Sequence, residues 1–287
     1  MALQDLIRHA TRVIRRTAPL GTHHDSSSSD TSTAGTPDEL RERVARLGTW
    51  MYRFDLGGGV YTTLHDEYLE DIHRTRAAMI FPEIDRTFEG RWAETTCLDG
   101  GCNEGYFAFE VAKRGAKAVV GFDAREINIE KAEFVRSVLG IRSVSFRVDD
   151  VLRVTPERYG SFDLTLCLGL LYHLEDPMGA LRHLRAVTKE LCVIDTEVVR
   201  PGAHATLDRG PKDGVVQTQD VIAVIAEPAW QWNPLLSVTG VSLVPSTSAL
   251  LTLLKHAGFR DVTQVQPSDE SNERYRNFDR AIFFARV

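Results

Sequence analysis

The sequence predicts an α/β protein built on a seven-stranded, mostly parallel sheet with helices on both faces. Three observations support this prediction. From Thr95 onwards, short apolar segments alternate with helical segments, which is typical of right-handed β-α-β crossovers. Glycines and carboxylates follow several apolar segments, where strands would turn into helices. Two more apolar segments after a late helix would complete a Rossmann-like sheet.

The predicted strands are short and largely apolar, as strands buried on both faces are. They cover residues 95–99, 117–123, 143–148, 162–168, 190–196, 262–266 and 281–286. Helices are predicted at 105–114, 126–139 and 177–188, and a leucine-rich helix starts at Pro245-Ser246 and ends at Gly258. Residues 200–244 interrupt the alternation and are expected to form a lid within a domain that spans 93–287. A ligand crevice is expected at the carboxyl ends of the strands.

The N-terminal part of the chain divides into segments of different composition. Residues 1–20 predict a basic amphipathic helix. Residues 21–36 are rich in Ser, Thr and Gly and nearly free of apolar side chains. Because such a segment cannot offset the entropy of ordering by burial, we expect a disordered linker there.

Residues 37–92 are expected to form a helical cap before the sheet. Thr36, Pro37 and Glu39 form a helix N-terminus signature with a capping box. After a glycine-rich turn, apolar residues recur at helical spacing as far as Phe81-Pro82, where the proline is expected to end the helix.

Composition limits the possible partners and compartment. The chain of 287 residues has 34 Lys and Arg against 40 Asp and Glu, a net charge of -6, which argues against a broad phosphate-binding surface. The four cysteines show no C-x-x-C pairing, so a reduced, cytoplasmic protein is expected. No apolar segment approaches the roughly 20 residues that a membrane helix needs.

The segment LDGGCNEGYF, at a predicted strand-to-helix turn, is the first candidate ligand site. Gly101 and Gly105 permit a tight turn with backbone close to a ligand, and Cys102 and Asn103 lie between them. The segment lacks the G-x-G-x-x-G pattern of dinucleotide sites, and Asp99 places a carboxylate where a pyrophosphate would need only amide donors. A carboxylate suits a sulfonium ligand that carries a free ammonium group.

Carboxylates also end the next two predicted strands. Asp123 can accept hydrogen bonds from both hydroxyls of a ribose. In the segment VDDV, Asp150 can accept from an adenine amino group and the Val151 amide can donate to the ring, with Asp149 as the alternative if the register differs by one. A single carboxylate could be a helix cap, but three at the ends of successive strands indicate a nucleoside site.

These motifs resemble those of class I S-adenosylmethionine-dependent methyltransferases. LDGGCNEGYF resembles the family's first motif, and FDLTLCLGLLYHLEDPMGALRHL its fourth strand and following helix. The similarity covers residues 93–198, and the segment LLYHLEDP is most similar to the branch of tRNA wobble-uridine carboxymethyltransferases and related small-molecule enzymes. The resemblance implies that Asp99, Gly101 and Gly105 contact the methionine end of the cofactor and that the Leu168 carbonyl binds its amino group. Asn103 departs from the commonest glycine.

Methyl transfer needs an oriented acceptor and, for a hydroxyl, a proton acceptor. His173, after the fourth strand, is the candidate base, although a structural role in its loop remains open. Candidate acceptor contacts are Tyr172, His65, Trp230 and Trp232, each with packing or solvent exposure as the alternative, and Asp195 or Glu197 could bind a polar acceptor. No metal-binding spacing is present, so no metal is expected.

We therefore expect S-adenosylmethionine-dependent transfer to a hydroxyl, or less favourably an amine, of a small molecule such as a sugar or specialised metabolite. The first alternative is a tRNA wobble-uridine enzyme, against which the acidic charge argues without excluding nucleic acid. The second is a non-catalytic Rossmann-like binding module. The oligomeric state and the choice between a methyl and a carboxymethyl donor stay open.

Overall fold

The computed structural model describes residues 36–208, 215–227 and 236–287. The predicted helix at 1–20 and nearly all of the predicted linker lie outside the described residues. In the described part of the chain no helix has the length and apolar composition that crossing a membrane needs.

The described elements follow the predicted alternation. The strands are β1 (Thr96–Gly100), β2 (Ala118–Asp123), β3 (Val144–Val148), β4 (Phe162–Leu168), β5 (Thr188–Glu197), β6 (Ala205–Asp208), β7 (Val215–Thr218), β8 (Ile222–Ala226), β9 (Val241–Pro245), β10 (Asp261–Val265) and β11 (Arg280–Arg286). The helices are α1 (Pro37–Arg46), α2 (Tyr68–Thr87), α3 (Tyr106–Lys113), α4 (Glu126–Leu139), α5 (Pro156–Tyr159), α6 (Pro177–Val187), α7 (Thr247–Ala257) and α8 (Glu273–Arg276).

A seven-stranded sheet in the order β10-β11-β5-β4-β1-β2-β3 forms the centre, which confirms the predicted fold class. Within this sheet β11 pairs antiparallel with β10 and β5, and the other pairs are parallel. Successive residues point to opposite faces, so Cys97 packs in one apolar cluster with α2 to α4, and Leu98 in another with α6 and α7. Both faces are therefore covered, and the strand ends are left to form a site.

The helical cap is predicted well at its start and wrongly at its end. Thr36 and Glu39 form the expected capping box of α1. The second helix does not stop at Pro82, however, because α2 continues through the proline to Thr87. Ile80, Phe81 and Ile84 are buried around it. Their packing offsets the roughly 3 kcal/mol that an interior proline costs a helix.

A buried ion pair fixes the segment before α2 to the sheet. The Glu104 carboxylate, fully buried in the loop after β1, accepts hydrogen bonds from the backbone N–H groups of Met51 at 2.9 Å and Tyr52 at 3.1 Å. It also pairs with the ammonium of Lys131 on α4 at 3.0 Å. Lys131 in turn donates to the Thr49 carbonyl at 2.5 Å. The loop that carries the first motif thus also positions the cap.

The predicted lid contains two antiparallel hairpins, β6-β7 and β8-β9. Its segment from Leu236 to Thr239 returns to the strand ends, where the Ser237 hydroxyl donates to the His173 carbonyl at 3.1 Å. Trp230 and Trp232 lie outside the described residues, so their predicted contact with an acceptor stays a prediction.

We expect Gly105→Ala to destabilise the fold more than Gly115→Ala does. Both glycines have left-handed φ angles, +83° and +91°, so both variants carry a similar backbone strain. A Cβ at Gly105 would lie 2.5 Å from Cζ of Phe146, whereas nothing lies within 4 Å at Gly115. Urea unfolding should show an additional loss of about 1–3 kcal/mol for Gly105→Ala. Equal losses in the two variants would contradict the predicted clash.

Candidate functional site

A cavity of about 560 Å³ lies at the carboxyl ends of β1, β2, β4 and β5. One half is lined by the loops after β1, β2 and β3, and the other by α2, the loop after β4 and the C-terminal elements. The segment from Leu236 to Thr239 contributes the lid side. This is the crevice expected of an α/β sheet.

Asp123 organises the first half. Its Oδ2 accepts a hydrogen bond from the Asn103 backbone at 3.0 Å, and its Oδ1 accepts from the Arg125 backbone at 2.8 Å and the Asn128 amide at 3.1 Å. Burial raises the pKa of Asp123, although these donors oppose the shift. Asn103 adopts φ 51°, so the asparagine takes the left-handed conformation that a glycine commonly takes at such a turn.

The two carboxylates after β3, Asp149 and Asp150, have different hydrogen-bond partners. Asp149 accepts from the Asp150 backbone at 2.9 Å, Arg158 at 2.6 Å and the Tyr159 hydroxyl at 2.8 Å. Burial would raise the pKa of Asp149, but these partners hold it below its usual range. Asp150 caps the 3₁₀ turn Val151–Arg153 through the Leu152 backbone. Both carboxylates line the cavity.

Asp99 lies behind the cavity wall rather than on it. It is 2% exposed, and its Oδ2 has no hydrogen-bond partner among the described residues. Burial raises the pKa of Asp99 to about 7, helped by the charge of Asp123 and opposed by a backbone hydrogen bond from Ala108. An unpartnered buried carboxylate is costly unless a donor or cation satisfies it. The Oδ1 of Asn103, on the cavity wall, also lacks a hydrogen-bond partner among the described residues and could accept from a ligand.

The structure brings most of the predicted cofactor residues to this half of the cavity, namely Gly101, Asn103, Asp123, Asp149, Asp150, Val151 and Leu168. The structure does not bring Cys102 and Gly105 to the wall. The Cys102 side chain is buried, and Gly105 lies against Phe146 and Phe109, where it allows close packing of α3.

His173 and Tyr172 lie where the two halves meet. The Nδ1 of His173 is buried and has no hydrogen-bond partner among the described residues, and burial lowers the pKa of this histidine to about 4, although Glu227 and Glu197 oppose the shift. Burial raises the pKa of Tyr172, and the Arg280 guanidinium lies 5.4 Å from the centroid of its ring. Both side chains are therefore neutral near pH 7.

His65 is not part of the cavity wall. It lies exposed in the turn before α2, and its Nδ1 is 3.5 Å from the Thr49 hydroxyl. The expected helical position for this residue is wrong, because α2 begins at Tyr68. A contact of His65 with an acceptor stays a prediction without support from its position.

The second half contains arginines that the sequence did not single out. The Asp195 carboxylate pairs with Arg280 at 2.6 Å and Arg76 at 2.8 Å, and it accepts from the Tyr275 hydroxyl at 3.0 Å. Burial would raise the pKa of Asp195, but Arg280 and Arg76 hold it below its usual range. Glu197 pairs with Arg274 at 2.7 Å.

A signal for Arg76 was present in the sequence. It follows Leu69, Ile72 and His73 at helical spacing, so a charged residue lies on the apolar face of α2. Arg280 begins a strand whose other residues are nearly all apolar, and its only sequence signal is that position. Within residues 36–208, 215–227 and 236–287, no group of three or more His, Cys, Asp or Glu could hold a metal ion.

Comparison with known proteins gives one family. A family model described as a methyltransferase domain matches residues 93–237, about half of the chain. The chain is 29% identical over 65% of its length to a tRNA U34 carboxymethyltransferase of Actinobacillus pleuropneumoniae, and 28% identical over 65% to that of Pasteurella multocida. It spans about half the length of these curated relatives, 52% and 51%.

Solved structures share the fold. The N-terminal domain of EvdMO1, crystallised in the presence of SAH and D-fucose, superposes with a TM-score of 0.65 and 22% identity, over 90% of this chain and 100% of that domain. An S-adenosylmethionine dependent methyltransferase from Mesorhizobium loti gives a TM-score of 0.51 and 19% identity, over 74% of this chain and 100% of the other. At these identities the likeness concerns the fold alone.

We expect the affinity for S-adenosylhomocysteine to fall as the pH drops below about 7. The charged form of Asp99 favours a ligand ammonium group, and its pKa of about 7 means that the carboxyl is neutral at lower pH. If only the charged form binds, the dissociation constant should rise about tenfold per pH unit below the pKa. Isothermal titration calorimetry between pH 8 and pH 5 measures this, since the ligand's own ammonium keeps its charge over that range.

Asp99→Asn is the matched control for this prediction. It should bind weakly at pH 8 and lose the pH dependence, because the amide keeps the shape but cannot ionise. Wild-type affinity that stays constant between pH 8 and pH 5 would show that Asp99 does not sense the ligand's charge.

Proposed function

The chain belongs to the methyltransferase-domain family and is an S-adenosylmethionine-dependent enzyme with the class I fold. We propose that it transfers the alkyl group of its sulfonium donor to a hydroxyl oxygen of an acceptor. The observation that carries this proposal is His173. Its imidazole lines the cavity at the junction of the two halves, and burial keeps it neutral near pH 7. A neutral imidazole can accept the proton that a hydroxyl must lose.

The proposed roles of the other residues follow from their positions. Asp123 would accept from ribose hydroxyls, Asp149 and Asp150 would face the adenine, and the loop from Gly101 to Asn103 would hold the methionine end. When bound, S-adenosylmethionine supplies an electrophilic carbon on a sulfonium. Tyr172 would orient the acceptor, and His173 would take its proton while the cavity walls exclude water.

The relatives favour a uridine in tRNA as the acceptor, since they are named tRNA U34 carboxymethyltransferases. The arginines in the second half of the cavity, which we call the acceptor half, also support such a substrate or a carboxylated donor. Arg76, Arg274 and Arg280 line the cavity, while Asp195 and Glu197 supply the negative charges that pair with them. Guanidinium groups bind phosphate and carboxylate oxygens with well-defined geometry, so these arginines could contact either group.

The second candidate acceptor is a small hydroxyl compound such as a sugar. The net charge of -6 favours it, because a tRNA enzyme needs several phosphate contacts on its surface. The cavity of about 560 Å³ also accommodates a small molecule beside the cofactor.

The acceptor assay that decides between them uses two donors and two acceptor classes. The protein is incubated with S-adenosylmethionine or its carboxylated derivative. Each donor is offered an anticodon stem-loop RNA with 5-hydroxyuridine at the wobble position, or a panel of sugars and phenols. Mass spectrometry should show one added methyl or carboxymethyl group on the RNA. A product only in the panel would replace the uridine with a small molecule, and an amine product would overturn the hydroxyl proposal.

We expect His173→Ala to lower the turnover number about 100-fold or more, because general-base catalysis contributes on this scale. The affinity for S-adenosylhomocysteine should stay nearly unchanged, which calorimetry measures. Wild-type turnover at saturating substrates should stay constant from pH 8 to about pH 5, because a base with a pKa of about 4 remains unprotonated there. Full turnover in the variant would contradict the proposed base.

A further inference from the structure

A second histidine lines the same cavity, on α2. His73 is 7% exposed, and its ring stacks on Tyr52 with centroids 4.0 Å apart. Tyr52 stacks in turn on Tyr106 at 5.0 Å, with the two planes 7° apart, and its backbone is held by Glu104. The plane of the imidazole is therefore fixed by a stack of three rings that is anchored to the loop after β1.

The nitrogens of this ring form no hydrogen bond with the part of the chain that the structure describes. Among the described residues, no hydrogen bond or ion pair involves the His73 side chain, which makes only its ring contact with Tyr52. Neither nitrogen is fully enclosed, unlike the Nδ1 of His173. A polar edge that is nearly buried, unpaired and still open to the cavity is suited to bind a polar group of a ligand.

The charges around the two histidines differ. His73 faces the guanidinium groups of Arg76 and Arg280, and burial together with these charges holds its pKa well below 6.5. Burial also lowers the pKa of His173, but Glu227 and Glu197 favour its protonated form. The carboxylates near His173 favour a proton there, whereas His73 offers a neutral hydrogen-bonding edge.

We propose that His73 is the residue that recognises the acceptor: its fixed imidazole hydrogen-bonds a polar group of the acceptor and directs the reacting hydroxyl toward His173. Recognition and proton transfer are thus divided between two histidines that line the same cavity. The inference rests on the proposed transfer to a hydroxyl acceptor. His73 would therefore favour acceptors with a second polar group beside the reacting hydroxyl. Such a group could be the ring N–H or carbonyl of a uracil, or a neighbouring sugar hydroxyl.

Three substitutions separate hydrogen bonding from packing. His73→Phe keeps a ring for the stack on Tyr52 but removes both nitrogens. His73→Asn and His73→Gln retain hydrogen-bonding groups near the positions of Nδ1 and Nε2, respectively, but lose the stack. Circular dichroism and calorimetry with S-adenosylhomocysteine establish that each variant is folded and binds the cofactor product.

Steady-state kinetics with the 5-hydroxyuridine stem-loop, or with the panel compound that wild type modifies, gives the main readout. His73→Phe should raise KM for the acceptor about tenfold or more and change the turnover number less, since one recognition hydrogen bond is lost. His73→Asn or His73→Gln should recover part of this loss, and the pH profile should stay that of wild type. Wild-type KM in His73→Phe would overturn the inference, because the ring would then serve packing alone.

A measurement without an acceptor keeps the two proposals distinguishable. Absence of turnover by wild type on every acceptor would contradict the proposed function. Independently, nuclear magnetic resonance of ¹⁵N-histidine-labelled protein should show the His73 ring neutral from pH 8 to pH 5. A His73 ring that titrates near pH 6.5 would overturn the division between the two histidines, whatever the acceptor.

Discussion

The buried carboxylate of Asp195 is the interaction on which the cavity depends. It lies near the end of β5 and pairs with Arg76 on α2 and Arg280 on β11, so it joins the N-terminal cap, the sheet and the C-terminal strand. Removing one partner of a buried ion pair commonly costs about 3–5 kcal/mol, because the other charge is left without compensation. Here two guanidinium groups would lose a buried partner, and Arg280 would keep its longer ion pair with Glu197 at 3.4 Å. The same pairing excludes Asp195 as a proton acceptor, since both of its oxygens already accept hydrogen bonds.

The two halves of the cavity differ in charge for a physical reason. Carboxylates at the ends of β1, β2 and β3 suit a donor with an ammonium group, a ribose and an adenine amino group, all of which present hydrogens. The arginines of the other half suit an acceptor or a transferred group that presents oxygens. His173 lies where the two halves meet, and burial keeps both His173 and His73 neutral near pH 7. In the proposed reaction, a neutral junction would allow a hydroxyl proton to move without a competing fixed charge at the reacting oxygen.

Hydrophobic periodicity predicts the sheet well because both of its faces are buried, so each strand is an apolar segment bounded by turn residues. It fails at Pro82, where the packing of α2 overrides the local cost of a proline. Short-range motifs likewise predict Asp123 and Asp150, which act on neighbouring backbone as well as on the cavity. Arg76 and Arg280 could not be paired from the sequence, because their shared partner Asp195 is distant from both along the chain. Only the fold brings the three together.

The family match covers the two halves of the cavity unequally, and this limits what the comparisons say about the acceptor. The family match covers residues 93–237, which contain the donor half and His173. The cap residues His73 and Arg76 precede it, and Arg274 and Arg280 follow it. Ser237, at its last position, links the lid to the His173 carbonyl. The matched region therefore contains the carboxylates at the strand ends and the proposed base, while Arg76, Arg274 and Arg280 lie in segments outside it. Acceptor choice can change through those segments without altering the donor site, so a relative's acceptor does not determine the acceptor here.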